Sequence, residues 1–140
     1  MNDELEVFKI EGYCLFIGKH FSPLQVEKTT GLSFDEQNES GELGTTGRYK
    51  DSPLPYGSAC INFSHPGTTP DLLPADINLI NILSKYMTEI RAAGADEITL
   101  YVNVYYTAQC NIQLSPELLK ILAGLNITIA ISAINAEQEQ

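Results

Sequence analysis

The chain reads as one α+β domain, a two-layer sandwich in which a mixed or antiparallel sheet carries about three helices on one face. Three observations predict this. Strand-like and helix-like segments follow one another in the order β-α-β-β-α-β-β-α-β, which places helices between strands or strand pairs. In the segment Glu97 to Tyr106, Ile98, Leu100, Val102, Val104 and Tyr106 face one way, while Thr99, Tyr101, Asn103 and Tyr105 face the other. A strand buried on both faces would instead read as an unbroken apolar run, so one side of this sheet is open to water or to a partner. The length, 140 residues with 44% apolar side chains, suits a single core spanning residues 1–140 and leaves no room for a second complete domain.

Each element has its own signal. Leu5 to Ile17 is rich in β-branched and aromatic residues and reads as one long strand, or as two short ones broken near Gly12. Ser22-Pro23-Leu24-Gln25 opens a helix. Ser22 can cap free backbone N–H groups, Pro23 fits the first helical position, and Gln25 stands where a capping box places its reciprocal partner. Gly31 closes that helix. The stretch 33–55 is broken by Gly41, Gly44, Gly47, Pro53 and Pro55 and reads as a loop or a short irregular hairpin. Gly57 to Phe63 is a strand, and Ser64 to Pro74 a connector. The longest helix runs from about Ala75 to Ala93, because Leu79, Leu83, Tyr86, Met87 and Ile90 fall on one face; Gly94 stops it. After Glu97–Tyr106, the residues Cys110, Ile112 and Leu114 read as a further strand or as the same strand after a bend. Ser115-Pro116-Glu117 starts a third helix that Gly124 ends, Ile127, Ile129 and Ile131 alternate in a last strand, and Asn135 to Gln140 is a polar tail.

Two of the helix frames match. Ser22-Pro23 precedes Gly31-Leu32, and Ser115-Pro116 precedes Gly124-Leu125, with the same spacing from Ser to Gly. The match fits two equivalent strand–helix units, and it equally fits the start and stop signals of any short helix.

The 18 acidic and 8 basic residues give a net charge of −10. Such a chain repels nucleic-acid phosphates and anionic lipid, and it favours a basic protein partner. The acidic start Met1-Asn2-Asp3-Glu4-Leu5-Glu6 is not that of a secretory signal, and no run approaches the ~20 apolar residues of a membrane span. Cys14, Cys60 and Cys110 are odd in number and far apart, so they read as reduced, partly buried side chains of a cytoplasmic protein.

Chemistry-bearing motifs are missing. His20 stands between a strand and a capped helix, and His65 lies in the turn-like Ser-His-Pro-Gly; neither has a nucleophile or base in a motif around it. No pair among the cysteines and histidines has a structural-zinc spacing, and the acidic stretch lacks the order of a calcium loop. The glycines of 41–47 do not lead from a strand into a capped helix, so they form no phosphate cradle. The expectation is therefore no catalysis, no metal and no cofactor.

Two features remain as candidate partner-binding elements. Asp35, Glu36, Glu39 and Glu42 form an acidic segment with no positive charge before Arg48, suited either to solubility or to steering toward a basic cleft. Tyr101 and Tyr105, with Asn103 between them, make a row of contact-rich side chains that Tyr49 in the middle loop can join.

The residues Phe8–Ile17, Ser22-Pro23-Leu24-Gln25-Val26, and Cys110 to Leu119 with Gly124-Leu125-Asn126-Ile127 resemble a family of small bacterial α/β domains, some of whose members are similar to immunity proteins encoded beside secreted toxins. The likeness covers both ends of the chain. The family's tryptophan-bearing middle strand has no counterpart here, since the chain has no Trp. The resemblance implies no catalytic residues. Taken with the small size, the net charge of −10, the acidic segment and the missing catalytic motifs, it leads to the expectation of an immunity protein that binds a cognate toxin with a basic cleft in the producing cell and blocks its active site or target-binding surface. Asp35, Glu36, Glu39 and Glu42 would steer that encounter, and Tyr101 and Tyr105 would pack against the toxin. The alternative expectation is a small-molecule sensor or accessory domain with a pocket between sheet and helices.

Overall fold

The computed structural model describes residues 7–66 and 78–136. Among these residues five strands and three α-helices follow one another: β1 (Val7–Gly18), α1 (Pro23–Thr30), β2 (Glu36–Asn38), β3 (Gly57–Pro66), α2 (Asn78–Ala92), β4 (Glu97–Tyr106), α3 (Pro116–Leu125) and β5 (Thr128–Asn135). The strands form one sheet in the order β2-β3-β1-β4-β5. β1 pairs antiparallel with both β3 and β4, β2 pairs antiparallel with β3, and β5 runs parallel to β4. The sheet is therefore mixed, and the fold is α+β as the sequence predicts.

The parity of β1 decides the layers. Ile10, Cys14 and Phe16 are buried, and they oppose the buried Val104, Leu100 and Ile98 of β4. On the other flank Cys14 and Phe16 meet Ile61 and Ala59 of β3. These side chains share one cluster with Val26 of α1, Leu79, Ile80, Leu83, Met87 and Ile90 of α2, and Leu118 and Leu122 of α3. All three helices thus pack on the same face of the sheet. Phe34 closes this core near α1, with its ring edge-on to Phe16 at 5.7 Å and to Phe21 at 6.5 Å. Each fully buried side chain of this size contributes roughly 1.5–3 kcal/mol relative to exposure.

Of the two readings of the first strand the single long one holds, since β1 is continuous through Gly12. β3 extends past Phe63, its expected end, to Pro66. A three-residue strand, β2, emerges from the middle segment. The bridges Leu43–Pro53 and Gly44–Lys50 fold the rest of that segment back on itself as an irregular hairpin. Cys110–Leu114 forms no strand of the sheet, because β4 already lies between β1 and β5. The chain there must cross over from the end of β4 to the start of a parallel neighbour. Cys110, Ile112 and Leu114 pack against the core while Asn111 and Gln113 are exposed, so packing produces the alternation that reads as a strand. The α2 start expected near Ala75, most of the connector ending at Pro74 and most of the C-terminal tail fall outside the described residues.

The two matching frames agree at their starts and part at their ends. Ser22 Oγ accepts from Gln25 N–H at 3.2 Å, and Ser115 Oγ accepts from Leu118 N–H at 3.1 Å. The reciprocal half of a capping box is absent in α1, where Ser22 N–H instead donates to the Ala93 carbonyl at 3.0 Å. Gly31 ends α1 in the left-handed conformation with φ 78°. Gly124 lies inside α3, and Asn126 with φ 55° provides the left-handed end.

Two glycines test this description with opposite signs. A methyl group at Gly12 would overlap the Tyr101 carbonyl oxygen of β4, so Gly12→Ala lowers stability by about 1–3 kcal/mol. A methyl group at the helical Gly124 meets nothing, so Gly124→Ala raises stability by about 0.4–1 kcal/mol. Urea midpoints of the two variants check both. A loss at Gly124 would restore it as the helix stop.

Candidate functional site

The alternate side chains of the sheet point away from the helices. Across the middle rows, Asn62 (β3), Tyr13 (β1) and Tyr101 (β4) stand side by side, and Cys60, Leu15 and Thr99 form the row beneath. The row above holds Ser64, Glu11 and Asn103. Tyr13 and Tyr101 are in ring contact, with centroids 5.0 Å apart and planes 32° from parallel. Tyr13 is 37% exposed, one of the few large apolar side chains left so open. At the far ends of the rows, Glu36 of β2 pairs with Cys60, and Glu97 of β4 pairs with Ile17. The result is an aromatic and aliphatic centre, Tyr13, Tyr101 and Leu15, with carboxylates toward its margins.

One side of the face is held by a three-way contact. Tyr105 Oη donates to Glu11 Oε1 at 2.9 Å, Lys9 Nζ lies 3.1 Å from Glu11 Oε2, and the same ammonium sits 5.5 Å from the Tyr105 ring centroid. The bond from Lys9, and then that from the Tyr105 hydroxyl, hold the Glu11 carboxyl below its ordinary pKa. Beside this network lies a shallow depression of about 500 Å³, bounded by Glu11, Tyr13, Asn62, Ser64 and Asn103 over the backbone of Gly12 and Phe63. A second depression of about 340 Å³ opens between β3 and the start of α2, lined by Ile61, Phe63, Leu79 and Ile82 with Asn62, Ser64 and Asn78. The Glu11 carboxylate, carboxamides, hydroxyls and apolar groups line the first, and carboxamides, a hydroxyl and apolar groups line the second; neither brings two carboxylates together.

The sequence-predicted residues divide into two groups. Tyr101, Asn103 and Tyr105 share the open face, and Glu36 joins them from the β2 edge. Asp35 is at the same edge, but its carboxylate accepts from Asn62 N–H at 2.7 Å and so extends the β2–β3 pairing. Glu39 and Glu42 serve the fold. Glu39 accepts from Ser22 Oγ at 2.7 Å and from Leu24 N–H at 3.1 Å, which ties the middle segment to the N-terminus of α1. Glu42 accepts from Glu39 N–H at 3.0 Å across a turn. Tyr49 sits in a short 3₁₀ turn, and its ring packs against Tyr56, with centroids 6.2 Å apart, in the middle segment rather than on a strand of the open face. Sequence reasoning missed Tyr13, Leu15, Glu11, Asn62 and Glu97. The odd positions of β1 carried a signal for two of them, Glu11 and Tyr13, which are the polar and aromatic members of an alternating strand, whereas Leu15 reads like a core residue.

The remaining reactive groups are dispersed. All three cysteines are free. Burial, with a lesser push from Cys60, raises the Cys14 thiol to about 12. Burial and then the charge of Glu36 raise Cys60, and burial raises Cys110. His20 is exposed, and the His65 side chain lies outside the described residues. Among the described residues no three His, Cys, Asp or Glu gather as metal ligands, and no helix is long and apolar enough to cross a membrane. Comparison of the chain with protein-family models, curated proteins and solved structures finds no match.

The carboxylates make separable predictions. Glu39→Gln removes a charged acceptor from two donors and costs about 1–2 kcal/mol in chemical denaturation, whereas the exposed Glu36→Lys stays within about 0.5 kcal/mol of the parent. For Glu11 the folded pKa is depressed, so its stabilisation is present above the unfolded value and is lost as pH falls through the folded one. Tyr105→Phe withdraws one of the groups that lower it. Denaturation midpoints from neutral to acid pH should then show a shallower acid-side loss, and an unchanged slope would show that the Glu11–Tyr105 bond does not form.

Proposed function

We propose that the protein is an immunity protein, which binds a cognate toxin in the cytoplasm of the producing cell and occludes its active site or target-binding surface without any chemistry of its own. One observation carries the reading: among the described residues the helices cover one side of the sheet, and the other side presents the contacting rings of Tyr13 and Tyr101 at its centre. Interfaces concentrate their binding energy in such aromatic anchors, surrounded by polar contacts. The margins Glu36 and Glu97, in a chain of net charge −10, suit a basic cleft, where opposite charge accelerates encounter. The resemblance of the helix frames to immunity-associated domains points the same way. Asp35, Glu39 and Glu42 add to the long-range field while holding the fold.

A second reading, a small-molecule sensor, rests on the depression between β3 and α2. It would show as ligand-dependent thermal stabilisation.

Co-purification with the product of the adjacent gene, followed by binding kinetics, tests the proposal. Tyr101→Ala should weaken the complex by roughly 30-fold or more, the ~2 kcal/mol of an interface anchor. Glu36→Lys with Glu97→Lys should slow association and flatten its salt dependence, with dissociation little changed. Wild-type binding by all of these variants, or capture of no partner, would remove the open face from the account.

A further inference from the structure

The two edges of the sheet differ. β2 is three residues long, and Asp35, Glu36 and Glu39 lie on or beside it. Shortness and charge are common guards against edge-to-edge pairing. β5, at the opposite edge, is eight residues long, Thr-Ile-Ala-Ile-Ser-Ala-Ile-Asn, with no charge, proline or glycine. No described strand lies beyond it. Thr128, Ile131, Ser132 and Ala133 are exposed, and Ile131, on the helix-bearing side opposite Val102, is 38% exposed. A neutral strand of this length, rich in β-branched residues and presenting a row of backbone donors and acceptors, is a template for another strand.

We infer that β5 pairs antiparallel with β5 of a second copy of this chain, joining two five-stranded sheets into one of ten strands. Symmetry limits the register. A two-fold axis that makes identical edge strands antiparallel stands perpendicular to the sheet, so every side chain stays on its own face. Paired residues must then share a face. Centred on Ile131, the register sets Ile131 against its copy and Ile129 against Ala133 on the helix-bearing side. Ala130 then meets Ser132, and Thr128 meets Ile134, on the open side. No charges meet, and the exposed Ile131 is covered by its own equivalent. The second copy is the occupant because the strand is its own complement, while a basic partner finds no carboxylate along it. Two chains of net charge −10 repel at a distance, so this association strengthens with salt, the opposite of the toxin contact. The axis also leaves both open faces on the same side of the joined sheet. The inference does not depend on the toxin reading.

Light scattering and sedimentation of the full chain, over rising protein and salt concentrations, test it. The expected result is a species of twice 15.4 kDa that salt favours. Ile131→Lys, which brings like charges together at the axis, should be a monomer with the far-ultraviolet circular dichroism of the parent. In a Cys110→Ser background, Ile131→Cys should cross-link copies on mild oxidation, whereas cysteine at the exposed Leu43 should not. A monomer under all conditions, or a dimer that survives Ile131→Lys, overturns the inference. Toxin binding lost with the dimer intact would count against the open face alone.

Discussion

β1 runs through the centre of the sheet with Phe16 between Ala59 and Ile98 on one side and Tyr13 between Asn62 and Tyr101 on the other. Strand side chains alternate strictly, so a slip of one residue would turn Tyr13 and Glu11 into the core and Phe16 out of it. The buried partners on β3, β4 and all three helices forbid that slip. The open face therefore follows from the packing of the closed one. Gly12 is part of the same constraint, because the Tyr101 carbonyl occupies the space a side chain would need.

The distribution of negative charge has a structural cause as well as a functional consequence. A carboxylate at the N-terminus of α1 satisfies backbone N–H groups that the helix leaves open, and Glu39 does this from seventeen residues beyond Ser22. Asp35 and Glu42 likewise accept backbone protons. An acidic segment that reads in sequence as one electrostatic unit is thus divided: three carboxylates hold the middle segment in place, and Glu36 is turned to the open face. The net charge remains −10, but the open face itself is built of tyrosines and their amide neighbours.

Local signals made most of the fold legible. The Ser-Pro helix starts, the spacing of Leu79, Leu83, Met87 and Ile90, and the alternation of Glu97–Tyr106 are set by near neighbours in the chain, and each survives in the structure. What did not read correctly depends on distant partners. Gly124 has the residue type of a helix stop, but α3 continues to Leu125 because Asn126 takes the left-handed position. Cys110–Leu114 alternates like a strand, but β4 has no free edge to offer it. Half of the candidate site was visible as Tyr101, Asn103 and Tyr105. Tyr13 and Leu15 were hidden because their place on that face depends on the register of β1 against β4, which joins residues about ninety positions apart.

The proposed role as an immunity protein places the toxin-binding surface on the helix-free face of the sheet. Amide chemical-shift mapping of the labelled chain with the captured toxin tests it most directly, because it reports on every strand and helix at once. The account predicts that the largest changes fall on Tyr13, Leu15, Asn62, Tyr101 and Asn103, with α1, α2 and α3 little affected. Changes concentrated on the outer surfaces of the helices, with that group of five unmoved, would contradict it.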